Sequence, residues 1–149
     1  MMPGKISRQV VVDRLDWVDR MVLAIRKLPL DDRQAFFSDV RNPMTAESGL
    51  RRALEALFDL GRHLLARGFG SGVTEYKEIA IRLREEQVLT GEDATLLMIL
   101  AGYRNRLVHF YHEVAPQELY EICRDRLPDI ERVADAYRAW FDRHADTLD

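Results

Sequence analysis

ALEALFDLGRHLLARG, residues 53–68, decides how this chain folds. Leu50 lies just ahead of it, and Leu54, Leu57, Gly61 and Leu64 then recur three and four residues apart, flanked by Ala53 and Leu60. That spacing lays one apolar stripe along an α-helix, whereas a strand would show alternation at every second residue. A stripe of this length needs cover from water, so it predicts partner helices rather than a lone one.

The partners lie on both sides of it. Val11, Leu15, Val18, Val22 and Ile25 make a second stripe over residues 8–28, which Ser7 is placed to cap and Pro29 to stop. Residues 31–39 predict a short helix around Phe36 and Phe37, with Asp31-Asp32 as capping carboxylates rather than a metal pair. Asn42-Pro43 reads as a break, Thr45 as the N-cap of the helix that follows, and Gly68 as its left-handed C-cap. GFGSG, residues 68–72, reads as a flexible loop; no Lys-Ser or Lys-Thr pair closes it into a phosphate cradle. Residues 74–89 predict a helix carrying Tyr76, Ile79, Ala80 and Leu83. Thr90 and Asp93 then have the spacing of a capping box for a helix through Leu96, Leu97, Leu100, Tyr103 and Leu107. Pro116 and Pro128 suit the first turns of two closing helices, the last presenting Ile130, Val133, Ala134, Tyr137 and Phe141. With no strand alternation, repeat or long linker, the expectation is an all-α bundle of about four long helices plus short ones, one domain over residues 1–149.

Composition narrows the function. The chain is 47% hydrophobic and 32% charged, which excludes a disordered or fibrous protein, and its net charge of −3 excludes a broad basic coat for nucleic acid. Any nucleic-acid chemistry has to be local. Cys123 is the sole cysteine, so no intrachain disulfide and no cysteine-built metal site can form, and the expectation is a small core residue in a reducing cytoplasm. The valine-rich start soon meets Asp13, Asp16 and Asp19, which fits neither a signal peptide nor a membrane span.

YRNRLVHFYHEV, residues 103–114, gathers two arginines, two histidines and two tyrosines with no acid before Glu113. Arg104, His109 and Tyr111 fit the pattern Arg-x4-His-x-Tyr. Arg106 and His112 have a similar spacing, but no tyrosine follows two residues on, so the first register is preferred. The three residue types suit RNA cleavage, because RNA carries its own nucleophile, the 2′-hydroxyl. Histidine gives and takes a proton near neutrality, arginine grips two phosphate oxygens as charge builds there, and tyrosine donates to phosphate or accepts a nucleotidyl group. At about 100° per residue, Arg104 and His109 stand roughly 140° apart on a regular helix, so one unbroken helix does not bring all three together. Either the helix unwinds near Phe110 or two copies of the chain build the site.

YRNRLVHFY resembles the signature of the HepT-like branch of the HEPN superfamily, small all-helical proteins of prokaryotic toxin–antitoxin pairs. The likeness extends over the helix of residues 53–68, YKEIAIRLREEQVL at 76–89 and LYEICRDRLPDIE at 119–131. It implies a homodimer with the signature residues facing each other across a cleft, and a metal-independent endoribonuclease acting on tRNA or mRNA without a cofactor. It also implies a cognate minimal nucleotidyltransferase antitoxin that transfers AMP to the motif tyrosine. Carried over residue by residue, Arg104 and His109 are catalytic, Tyr111 is the AMPylated and substrate-positioning residue, and Asn105 is the polar residue that follows the arginine. The alternative is a non-catalytic HEPN-type module that binds nucleotide or protein.

The remaining polar residues have plainer readings. Arg51, Arg52, Arg62 and Arg67 form a solvated helix face, His63 and His144 are surface residues, and Tyr103 and Phe110 are packing residues. No Cys/His cluster and no His-Glu-x-x-His pattern occurs, so no metal is expected.

Overall fold

A computed structural model describes residues 4–109 and 114–149, with His109 described in its backbone alone. The described residues form helices α1 (Arg8–Arg26), α2 (Arg33–Ser38), α3 (Arg41–Phe69), α4 (Tyr76–Glu85), α5 (Gly91–His109), α6 (Pro116–Asp125) and α7 (Leu127–Arg143). The all-α expectation holds: four helices are long, three are short, and only an isolated bridge between Ile6 and Leu148 is strand-like among these residues.

The helix predicted from residues 53–68 is the hub. α3 packs against all six other helices, most extensively against α1. Its leucine stripe is buried as read, and Ala46, Gly49, Ala56, Phe58 and Leu65 are buried as well, so cover reaches well beyond a single stripe. α1 buries the five residues of its predicted stripe, Val11, Leu15, Val18, Val22 and Ile25. Where neighbours come closest to α3, glycine makes the room. A methyl group at Gly49 would meet the Ile25 side chain at 2.9 Å, and one at Gly61 would meet the Tyr137 hydroxyl at 2.7 Å.

Several boundaries differ from the sequence expectation, each for a local reason. Asn42-Pro43 does not break the chain; α3 already begins at Arg41, and Pro43 sits in its first turn, where a backbone N–H has no helical acceptor to lose. Asn42 donates its side-chain amide to the carbonyls of Ala35 and Phe36, tying α2 to this start, and Thr45 lies inside the helix rather than at its cap. At the other end Gly68 is still helical and gives space to Ile6, while Gly70, at φ 65°, is the left-handed cap. GFGSG is therefore partly helix. α4 is capped by Glu75, which accepts from the N–H groups of Lys77 and Glu78, and it ends at Glu85, short of Leu89. Ser7, Asp32 and Thr90 cap their helices through the N–H groups of Val10, Ala35 and Asp93. The Asp93 carboxylate does not return to Thr90; it binds Arg132 of α7 at 2.7 Å.

Neither His63 nor His144 is a bare surface residue. His63 Nε2 accepts the Ser7 N–H at 3.0 Å, and the His144 ring stacks on Trp140 at 4.2 Å with Nδ1 2.9 Å from the Trp140 carbonyl. Sequence spacing missed both contacts, since the first partner is far along the chain and the second is a ring stack. Cys123 is buried as expected, and burial pushes its thiol up to about 12.

Two stability predictions follow from this packing. The Tyr137 hydroxyl is fully buried with no hydrogen-bond partner, so Tyr137→Phe should leave stability unchanged or raise it by up to ~1 kcal/mol. Gly61→Ala should cost about 1–3 kcal/mol from crowding, less the helix-propensity gain, and the loss should shrink in the Tyr137→Phe background; denaturant unfolding of the four variants measures it.

His63 adds a pH-dependent one. Burial, then the charges of Arg67 and Arg14, hold its ring below the usual 6.5, with Asp149 opposing. The neutral ring is the form that accepts from Ser7. As pH falls below about 6.5 the unfolded chain takes up a proton that the folded one refuses, so stability present above that pH is lost down to the lowered folded value. The thermal midpoint should therefore drop as pH falls below about 6.5, and His63→Gln, which keeps an acceptor without titrating, should flatten that drop.

Candidate functional site: an arginine held on a ring

α5 carries the basic motif, and its placement begins at its first turn. Arg132 of α7 binds both Asp93, at 2.7 Å, and Glu92, at 3.0 Å, fixing the N-terminal end of α5 against α7. Ala94, Leu97, Leu100, Ala101 and Leu107 are then buried along one side. Arg104 follows Leu97, Leu100 and Ala101 by seven, four and three residues, so it occupies a core-facing register of its helix. A cation in that register needs a partner.

Its partner is aromatic. The Arg104 guanidinium carbon lies 4.0 Å from the centre of the Tyr76 ring, at the start of α4. Tyr76 packs against Phe58 of α3, whose ring meets it edge-on at 4.8 Å and 65°. A second guanidinium, that of Arg62, lies 5.4 Å from the same ring. Arg104 Nε is buried with no hydrogen-bond partner, and its Nη1 makes one long contact of 3.4 Å with the side-chain oxygen of Asn105. Among the described residues no carboxylate pairs with Arg104. Guanidinium on an aromatic face is an attraction of about 0.5–2 kcal/mol, growing as water is excluded.

The neighbouring arginine is placed differently. Arg106 forms an ion pair with Glu118 in the first turn of α6, so its charge is matched and it joins α5 to α6. Tyr103 is half-buried and packs against the core, as expected.

Of the four predicted site residues, Arg104 and Asn105 are seen in contact. His109 closes the described part of α5, with its side chain outside the described residues. Tyr111 lies outside them altogether, as do Phe110, His112 and Glu113. α5 is helical from Gly91 through His109, so the backbone between Arg104 and His109 is regular.

The sequence reading missed two members of this cluster. Tyr76 was assigned only to a helix stripe, and Arg62 to a solvated face. Arg62 in fact binds Asp59 at 3.1 Å and the Thr74 carbonyl at 3.3 Å, besides facing Tyr76. Only the third dimension brings α3, α4 and α5 to one ring; the sole sequence hint is a tyrosine four residues past the last glycine of residues 68–72. Among the described residues no group of three His, Cys, Asp or Glu could hold a metal, and no helix is long and apolar enough to cross a membrane.

Known proteins share this architecture. Over 119 residues, 77% of this chain and 78% of the relative, the sequence is 29% identical to a tRNA nuclease HepT of Aphanizomenon flos-aquae (strain 2012/KM1/D3). The fold is similar to that of a tri-AMPylated Shewanella oneidensis HEPN toxin solved in complex with MNT antitoxin, with a TM-score of 0.77, 21% identity and coverage of 87% of this chain and 97% of that one. It is as similar to YutE, a cytosolic Bacillus subtilis protein of unknown function, at a TM-score of 0.78, 17% identity and coverage of 95% and 94%. Residues 20–137, from α1 into α7, match the family described as ribonuclease HepT-like, and the chain belongs to that family.

Proposed function

We propose that this chain is the toxin of a toxin–antitoxin pair, a metal-independent endoribonuclease that uses Arg104 and His109. The observation that carries the reading is the charge of Arg104: in a HepT-like chain, the motif arginine is held by a ring, and among the described residues no acid neutralises it. Its outer nitrogens stay available to a phosphate, which they can grip in two places. In the cleavage step the RNA 2′-oxygen attacks phosphorus and the bond to the 5′-oxygen breaks. His109 takes the 2′-hydroxyl proton, and a proton returns to the leaving oxygen. Arg104 stabilises the charge that gathers on the phosphate oxygens between. The tRNA nuclease named among its relatives makes tRNA the first substrate to try.

The same reading gives the chain two protein partners. A second copy would bring a second motif to the cleft, because positions 104 and 109 stand about 140° apart in register around one regular helix. A nucleotidyltransferase antitoxin would silence the site at Tyr111. The phenolic oxygen of Tyr111 attacks the α-phosphorus of ATP, pyrophosphate leaves, and AMP remains attached. The added phosphate then occupies Arg104 in place of RNA.

Purified chain incubated with bulk tRNA should cleave it in the presence of EDTA. Arg104→Ala and His109→Ala should each lower the rate by about 100-fold or more with an unchanged unfolding midpoint. Wild-type rates in both variants would refute the catalytic roles, and binding of RNA without cleavage by the wild type would favour the non-catalytic module.

Incubation with the nucleotidyltransferase and ATP should add AMP-sized mass increments that peptide mapping places on Tyr111, and Tyr111→Phe should abolish both the increment and the loss of cleavage. Modification on Tyr103 or Tyr120 instead would reassign the regulatory tyrosine.

A further inference from the structure

We propose that Tyr76 is the positioning residue for Arg104, holding the guanidinium by its ring face so that the charge is fixed in place yet left unspent for a substrate phosphate. The inference rests on the reading of Arg104 as the phosphate-binding residue. An arginine in a core-facing register can be anchored in two ways. A carboxylate would hold it firmly but would also cancel its charge and occupy its donors, which is what Glu118 does for Arg106. An aromatic face holds the plane of the guanidinium, takes none of the outward N–H groups in conventional hydrogen bonds, and leaves the net charge at +1. The buried Nε of Arg104 without an acceptor is what a guanidinium laid on a ring looks like.

The ring is itself fixed from one turn of α3. Phe58 meets it edge-on, and Arg62, three residues after Asp59, reaches over it. Arg62 is paired with Asp59 and donates to the carbonyl of Thr74, two residues ahead of Tyr76, so the backbone leading into α4 is tied down as well. Asp59 matches the charge of Arg62, so two cations share one ring without a full unit of repulsion between them. The order of support runs from Phe58 and Asp59 through Arg62 and Tyr76 to Arg104. Only the last of these is left with a charge that no acid answers among the described residues.

The test compares Tyr76→Leu, which removes the ring, with Tyr76→Phe, which keeps it. On bulk tRNA, Tyr76→Leu should lower kcat/KM about tenfold, and Tyr76→Phe should restore it to within about threefold of wild type. In an Arg104→Lys background, Tyr76→Leu should add little, because the group it positions is gone; a general structural role would instead cost the same in both backgrounds. A second measurement needs no activity. In chain labelled with 15N-arginine, the Arg104 Nε–H resonance should carry the upfield ring shift of a proton over an aromatic face, and that shift should vanish in Tyr76→Leu and persist in Tyr76→Phe. If wild type cleaves RNA and Tyr76→Leu cleaves it equally well, Tyr76 has no positioning role. If wild type cleaves nothing, the nuclease reading fails, and the resonance alone decides whether Tyr76 holds Arg104: an Nε–H unmoved by the loss of the ring overturns it.

Discussion

The burial of α3 is the constraint on which the rest of the molecule depends. A helix of 29 residues with apolar side chains on more than one face cannot be covered by a single neighbour, so six others are arranged around it. Their order and tilt are limited by how close each can come, and that is set at the small positions. Gly49 admits Ile25 of α1, and Gly61 admits the Tyr137 ring of α7. Side chains of ordinary size there would push α1 and α7 outward and open the core that all the helices share.

The site follows from the same packing. α4 and α5 lie against each other and against α3, and Tyr76, Arg104 and Phe58 are the residues each contributes where the three meet. Most arginines along this chain answer an acid close by, as Arg26 answers Glu131 and Arg138 answers Asp19. Arg104 is set apart by geometry, since its register points it inward to an aromatic face. A protein of net negative charge can in this way hold a cation on a ring face without presenting a broad basic surface to nucleic acid in general.

The helices were legible because burial leaves a period in the sequence. The stripe of α1 was read residue for residue, and the capping roles of Ser7, Asp32 and Thr90 followed from side chains that reach only three residues along the chain. Boundaries were less legible where two local rules compete. Proline stops a helix from within but is tolerated in its first turn, and Asn42-Pro43 alone does not say which applies. Gly68 and Gly70 are both able to end α3, and the choice depends on Ile6, which packs against Gly68 from the other end of the chain. The motif gave Arg104 but not its support. Tyr76 lies 28 positions away, and a cation over a ring leaves no spacing rule to find it by.

Cys123 was introduced as a small core residue, and its setting makes it a clock. It is the chain's only thiol, it is buried in α6, and its thiolate is suppressed at neutral pH. A thiol in that state reacts with a disulfide reagent only when the surrounding helices part, because both access and ionisation arrive with water. The labelling rate of the unmodified protein therefore times the opening of its own core. No probe has to be engineered to follow that opening as temperature or denaturant is varied.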